Sequence, residues 1–138
     1  GFCAAAAARA HTGAVSKLVG VVSAHATTYL DSFRSKQVVA SPVTTKLADG
    51  MACRVAEEEA LAIVLREAED IVAVTDDEVA EAMRILFTDT HNVAEGAGAA
   101  GLAAAIRMRG RWPGGDVGFA LTGGNVDRDV FARVLAST

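Results

Sequence analysis

Two short apolar runs, Leu18-Val19-Gly20-Val21-Val22 and Ile71-Val72-Ala73-Val74, constrain the fold of this chain more than any other feature. Neither alternates polar with apolar residues, so each reads as a strand covered on both faces rather than half solvated. Strands of that kind belong to a parallel sheet flanked by helices, and helical patterns do separate and follow the two runs.

The helical segments are legible from their spacing and their ends. Residues 4–10 read as helix, closed by His11-Thr12-Gly13, where Gly13 suits a left-handed cap. Residues 26–34 place Tyr29, Leu30 and Phe33 on one side, and residues 57–68 carry a stripe of Leu61, Val64 and Leu65. Thr75 stands three residues before Glu78, a capping box that opens a helix through about Phe87 with Val79, Met83, Leu86 and Phe87 toward the core. A helix over 97–108 stops near Gly110, and Pro113-Gly114-Gly115 turns the chain into an expected third strand at 117–121. Asn125 or Asp127 then caps a last helix at 128–135. Residues 36–54 have no clean period and contain Pro42, Asp49 and Gly50; they read as an ordered loop over a site. The expected fold class is therefore α/β, three layers with a mostly parallel sheet covered by helices, in one domain over residues 1–138. Three strands make a thin sheet, so neighbouring strands are expected to lie outside these residues and apolar surface to be left uncovered. Association or poor solubility of the isolated chain follows.

Composition narrows the function classes. Hydrophobic residues make up 51% of the 138, but aromatics only 5%, so the core is built from small side chains. A net charge of −4 disfavours nucleic acid, whose partners present a basic stripe. Arg107, Arg109 and Arg111 form the one basic cluster, either a solvated helix end or a binding patch. Cys3 and Cys53 belong to no CxxC pair, which points to a reducing compartment, by default the cytoplasm. No run reaches the roughly 18 apolar residues of a membrane span. The N-terminal alanine run lacks a basic leader and an initiator Met, so the chain reads as starting inside a domain.

Four segments hold residues able to do chemistry. Leu121-Thr122-Gly123-Gly124-Asn125 follows the third expected strand and precedes a helix, where open α/β sheets place their ligands. Its glycines let backbone approach a ligand and its hydroxyl can donate or accept; a plain turn with Thr122 as a helix cap is the other reading. Asn92-Val93-Ala94-Glu95-Gly96-Ala97-Gly98 opens a small-residue helix. There Glu95 either complements the helix dipole or lies beside a bound group. Thr45-Lys46-Leu47-Ala48-Asp49-Gly50-Met51 is a turn or part of a site. Ser23-Ala24-His25-Ala26-Thr27-Thr28 caps a helix or lines a pocket. His11, His25 and His91 lack metal-ligand spacing, no Gly-x-Ser-x-Gly elbow is present, and the phosphate-loop and full G-x-G-x-x-G motifs are absent.

Taken in order, the Leu-Ala-Asp-Gly loop, the strand running into Thr-Asp-Asp-Glu-Val, the Glu-Gly-Ala-Gly-Ala helix and Thr-Gly-Gly-Asn resemble the C-terminal part of the threonine/serine dehydratase catalytic domain. That family lies within the tryptophan-synthase-β-like enzymes that use pyridoxal 5′-phosphate (PLP), fold type II. The resemblance covers essentially the whole chain. It implies PLP as cofactor, with Thr122 at the place of the residue that bonds the pyridine nitrogen. Gly123 and Gly124 would pass close to the ring, Glu95 would be the acid near it, and Ala48, Asp49 and Gly50 the loop over it. Gly1 would be the last glycine of the phosphate loop, beside a helix N-terminus suited to an anion. The implied activity is β-elimination from L-threonine or L-serine to a 2-oxo acid and ammonia. Implied partners are a small amino-acid substrate, a complementary N-terminal half or chain, and a second copy in a homo-oligomer, with no nucleic acid and no membrane.

The departures are as informative. The family's anchoring lysine lies in an N-terminal Ser-x-Lys-x-Arg-type motif, and Lys17, Lys36 and Lys46 sit in nothing like it. The chain alone is therefore expected to be inactive, with no catalytic residue of its own. Val22 and Thr28 stand where some members carry cation-binding acids, so no metal is expected. The competing reading is a non-catalytic α/β module that binds a small ligand or a partner.

Overall fold

The computed structural model describes residues 1–111 and 113–137. Helix α1 (Phe2–Thr12) ends on Gly13 in the left-handed conformation, φ 68°, the cap its sequence announces. Strand β1 (Leu18–Ser23) leads to α2 (Thr28–Ser35), then a long connection containing a single 3₁₀ turn at Asp49–Met51. Helix α3 (Glu58–Glu67) runs straight into β2 (Ala68–Val74), and α4 (Asp76–Thr90), α5 (Gly96–Arg107) and α6 (Arg128–Ala136) follow.

Strands β1 and β2 pair in parallel, with Val21 opposite Val72 and Val22 opposite Ala73. Because side chains alternate across a strand, the sheet has two apolar faces and each gathers its own core. Val22 and Ile71 pack with Leu30 of α2 and Val64 of α3, joined by Phe2, Tyr29 and Phe33. Val21, Val72 and Val74 face the other way, onto α4 and α5, with Val134 of α6 closing that cluster. This is the expected three-layer α/β arrangement.

Small side chains explain how the second core closes. Ala99, Ala100, Ala103 and Ala104 of α5 are all buried, which brings the helix close to Val79, Ala82, Met83 and Leu86 of α4. The Thr75–Glu78 capping box is formed on both sides, Glu78 N–H donating to Thr75 Oγ1 and Thr75 N–H to Glu78 Oε2. Two side chains expected in the core lie nearer the surface. Leu65 is 37% exposed and Phe87 38%, the latter resting edge-on against Phe131 at 5.5 Å.

The expected third strand at 117–121 is not formed. That segment joins no ladder among the described residues; Val117, Phe119 and Leu121 are all exposed, at 55, 42 and 39%. Its period-2 pattern is strand-like, but a strand needs a neighbour to bond, and β1 and β2 pair only with each other. Asp127 occupies the N-cap position of α6 without a capping bond from its side chain, and Asn125 lies two residues before that cap. Among the described residues no helix is long and apolar enough to cross a membrane, and no group of His, Cys, Asp or Glu has the makings of a metal site.

Candidate functional site

The first turn of α5 organises the candidate residues. Glu95 is its N-cap residue, with extended backbone at φ −76°, ψ 167°, yet its carboxylate caps nothing. Its place at the helix start still sets a negative charge at the positive end of the α5 dipole, so both readings of Glu95 stand. Its side chain lies over Gly123, where any β-carbon would collide with Oε1 and come within 3.1 Å of Cδ. The Glu95 N–H donates to the Gly123 carbonyl at 3.0 Å, so the Thr-Gly-Gly segment is tied to the helix start by backbone as well. Gly98, one turn on, leaves room for that same carbonyl, and Gly124 leaves room for the carbonyl of Val93.

The Asp-Gly loop meets the same turn from another side. The Leu47 carbonyl occupies the space a side chain on Gly96 would need, and Gly50 approaches Ala97 so closely that an added β-carbon would stand 2.9 Å from the Ala97 β-carbon. Ala48 is fully buried at this junction. Gly1 comes in beside Thr122, its missing β-carbon 3.8 Å from Thr122 Cγ2, and the free N–H groups of the first turn of α1 start there. The start of α5 thus meets Gly123 on one side and the Leu47–Gly50 loop on another, with Gly1 beside the adjoining Thr122. The surface around this junction is open: Thr122, Gly1 and Gly50 are exposed.

Two polar groups on it have no side-chain partner among the described residues, the Thr122 hydroxyl and the half-buried Glu95 carboxylate. Thr122 does not cap α6, which starts six residues later.

The loop that carries Asp49 and Gly50 is ordered, as its sequence suggests. Ala40 and Val55 form an antiparallel bridge at its base, Thr44 N–H donates to the His25 carbonyl and Thr28 Oγ1 to the Cys53 carbonyl. The hydroxyls of Thr27 and Ser41 both donate to Asp31 Oδ2 at 2.7 Å, and these bonds hold the Asp31 carboxyl below its ordinary 3.8. Ser23 and Thr28 are buried parts of this framework, Ser23 Oγ accepting from His25 N–H. Asp76, which sequence reasoning passed over, holds the other end: Thr45 Oγ1 donates to its Oδ1 at 2.7 Å and Lys46 N–H to its Oδ2 at 2.8 Å. The signal was there, an acid directly after a capping threonine, but it reads as ordinary dipole complement in a helix's first turn.

No lysine belongs to this surface by its contacts. Lys17 pairs with Glu69 at 3.0 Å, Lys36 ends α2 in the left-handed conformation, and Lys46 is exposed. The arginine cluster turns out to brace the opposite end of α5: Arg107 pairs with Glu78 and Arg111 with Asp70, each at 2.7 Å. The Arg111 guanidinium draws Asp70 below its usual range.

An α/β fold with glycine-mediated close packing at the start of a buried helix describes a class, and comparison with known proteins identifies the family. Residues 1–123 match the family described as pyridoxal-phosphate dependent enzyme, and the chain belongs to it. The L-threonine ammonia-lyase of Geobacter sulfurreducens is 33% identical over 119 residues, covering 86% of this chain and 30% of that protein. The T.th. threonine deaminase superposes with a TM-score of 0.80 at 29% identity, over 88% of this chain and 44% of that one. Threonine deaminase isoform 2 from Solanum lycopersicum shares the fold over 99% of this chain and 41% of its own, TM-score 0.88 at 21% identity. The chain spans less than half the length of each. PLP is the cofactor of the family, and the Thr122 hydroxyl and the Glu95 carboxylate, neither with a side-chain partner among the described residues, are polar groups of the kind that could hold one edge of it. An amine to anchor it is not among them.

Proposed function

We propose that this chain supplies the pyridine-side floor of the site of a PLP-dependent ammonia-lyase acting on L-threonine or L-serine, as the C-terminal portion of its catalytic domain. The observation that carries the reading is the meeting of Thr122-Gly123, Glu95 and the Asp-Gly loop on the first turn of α5. PLP, when bound through a lysine from outside these residues, would draw electrons from the substrate's α-carbon so that the α-proton and β-hydroxyl leave, giving a 2-oxo acid and ammonia after hydrolysis. Thr122 offers a hydroxyl to the ring nitrogen. A neutral hydroxyl does not protonate that nitrogen as a carboxylic acid would, which weakens the electron sink and favours loss of a β-substituent over transamination. Gly123 keeps the backbone flat beside Glu95, and the amides at the start of α1, after Gly1, suit an anion such as the cofactor's phosphate.

A complementary segment carrying the lysine is the partner this reading requires. The exposed 117–121 segment, apolar at alternate positions, is where its strand would pair. The two free thiols, Cys3 and Cys53, support a reducing compartment such as the cytoplasm. Calorimetry with pyridoxine 5′-phosphate, which has no aldehyde and needs no lysine, tests the floor directly. Binding that weakens at least fivefold in Thr122→Ala is the expected result; equal binding of an unrelated nucleotide, untouched by Thr122→Ala, favours a non-catalytic module instead. With PLP itself, an absorbance band that survives dialysis and disappears with borohydride would show that the anchoring amine lies in this chain after all.

A further inference from the structure

The loop over the proposed site is held by a group that belongs to none of the segments assigned to it. Asp76 is the first residue of α4, half buried, and both of its carboxylate oxygens accept from the loop. The Thr45 hydroxyl that donates to Oδ1 also accepts the N–H of Ala48 at 3.1 Å. One carboxylate therefore reaches, through one hydroxyl, the buried residue at which the chain turns into the Asp49–Met51 3₁₀ helix, where Met51 N–H donates back to the Ala48 carbonyl at 3.0 Å. From there Gly50 is set down on Ala97, and Leu47 and Ala48 on Gly96. Bonds from the connection to other elements lie nearer its ends, at Val39, Ser41, Thr44 and Cys53, and among the described residues the hydrogen bonds that residues 45–48 make outside the loop go to Asp76.

We propose that Asp76 is a positioning residue: acting through Thr45, it fixes the pose of residues 46–50 over the first turn of α5, and with it the shape of the cofactor surface. The inference rests on the functional reading above. Asp76 touches neither the Thr122 hydroxyl nor Glu95, and its neighbour Asp77 shares its helix turn but is exposed and accepts no side-chain bond. The pair thus separates a latch from a general contribution of acids to the helix N-terminus.

The experiment measures amide hydrogen exchange by NMR together with calorimetric affinity for pyridoxine 5′-phosphate, on the chain and on Asp76→Ala, Asp77→Asn, Thr45→Val and Thr45→Ser. In Asp76→Ala and Thr45→Val, exchange at Ala48 rises at least tenfold while Val79, in the α4 core, keeps its protection, and the dissociation constant rises at least threefold. Asp77→Asn and Thr45→Ser, which retain carboxylate and hydroxyl in the latch, match the unaltered chain in both readouts. Unchanged Ala48 exchange overturns the latch. So does a loss of protection at Ala48 and Val79 together, which marks plain destabilisation, or an opened loop with unaltered affinity. Absence of binding by the unaltered chain overturns the cofactor reading itself, and is seen before any variant is compared.

Discussion

Alanine at Gly98 and at Gly101, three residues apart on one helix, should shift stability in opposite directions. In both cases the change from glycine gains up to about 1 kcal/mol in helix propensity, less in the first turn where Gly98 sits. What the new methyl meets decides the sign. At Gly98 it falls on the Gly123 carbonyl oxygen and within 3.2 Å of the Gly123 nitrogen, backbone atoms that cannot rotate aside. Overpacking of that kind costs about 1–3 kcal/mol. If residues 122–124 withdraw instead, the bond from Glu95 N–H to the Gly123 carbonyl goes with them, about 0.5–1.5 kcal/mol. With up to about 1 kcal/mol of propensity set against it, Gly98→Ala keeps a net cost of roughly 0–2 kcal/mol by overpacking, and less if the segment withdraws. At Gly101 the methyl meets a single residue, Phe119, its β-carbon at 2.9 Å and two ring carbons at 3.6 Å, on an exposed segment that no ladder holds in place. The segment yields and propensity prevails, so Gly101→Ala is neutral to about 1 kcal/mol more stable. Urea unfolding followed by circular dichroism measures both. A Gly98→Ala chain as stable as Gly101→Ala would refute the close approach on which the site description depends.

Three further outcomes follow from other parts of the fold. Thr75→Ala removes the hydroxyl half of the α4 capping box and should cost about 0.5–2 kcal/mol in the same urea assay, an effect that Thr88→Ala, remote from the box, does not reproduce. Asp31 has its carboxyl lowered by bonds from the Thr27 and Ser41 hydroxyls, so its contribution is present above the ordinary 3.8 and lost as pH falls through the depressed value. Acid unfolding of Asp31→Asn should therefore be less steep below pH 3.8 than that of the unaltered chain, and identical profiles would remove the assignment. Replacing Val117 and Phe119 by Ser should shift the chain toward monomer in sizing chromatography at high concentration; a sharp monomer peak for the unaltered chain contradicts the uncovered-strand reading.

The parts of this fold that were legible in the sequence are those whose cause is local. Leu18–Val22 and Ile71–Val74 announce buried strands because a run of apolar residues that short has few other uses, and Gly13 and the Thr75–Glu78 box mark helix ends through bonds within a few residues. The 117–121 segment has an equally clear period, yet forms no strand, because strand formation depends on a partner elsewhere and period reports only which way side chains point. Leu65 and Phe87 missed the core for a related reason: spacing defines a helix face, while the width of that face buried depends on what packs against it.

The site divides along the same line. Thr122, Gly123 and Glu95 were visible as segments, but their relation was not, since Gly123 is glycine because a carboxylate 28 positions earlier fills the space beside it. Asp76 was hidden for a stronger reason. Its sequence context already has a sufficient local explanation, the acidic first turn of a capped helix, and such an explanation masks a second role that only distance in space reveals. Local sufficiency is also why the latch has consequences for the surface it serves. A carboxylate that both favours the start of α4 and accepts two bonds from the loop couples the loop's pose to that helix, whose Val79 and Met83 are fully buried against α5. The Asp-Gly loop and the Thr-Gly-Gly segment then converge on one support, residues 95–98, from either side of it in sequence. The surface proposed for the cofactor has few side chains of its own and depends on that support, so on this proposal disturbing α4 should change its shape without touching a residue on it.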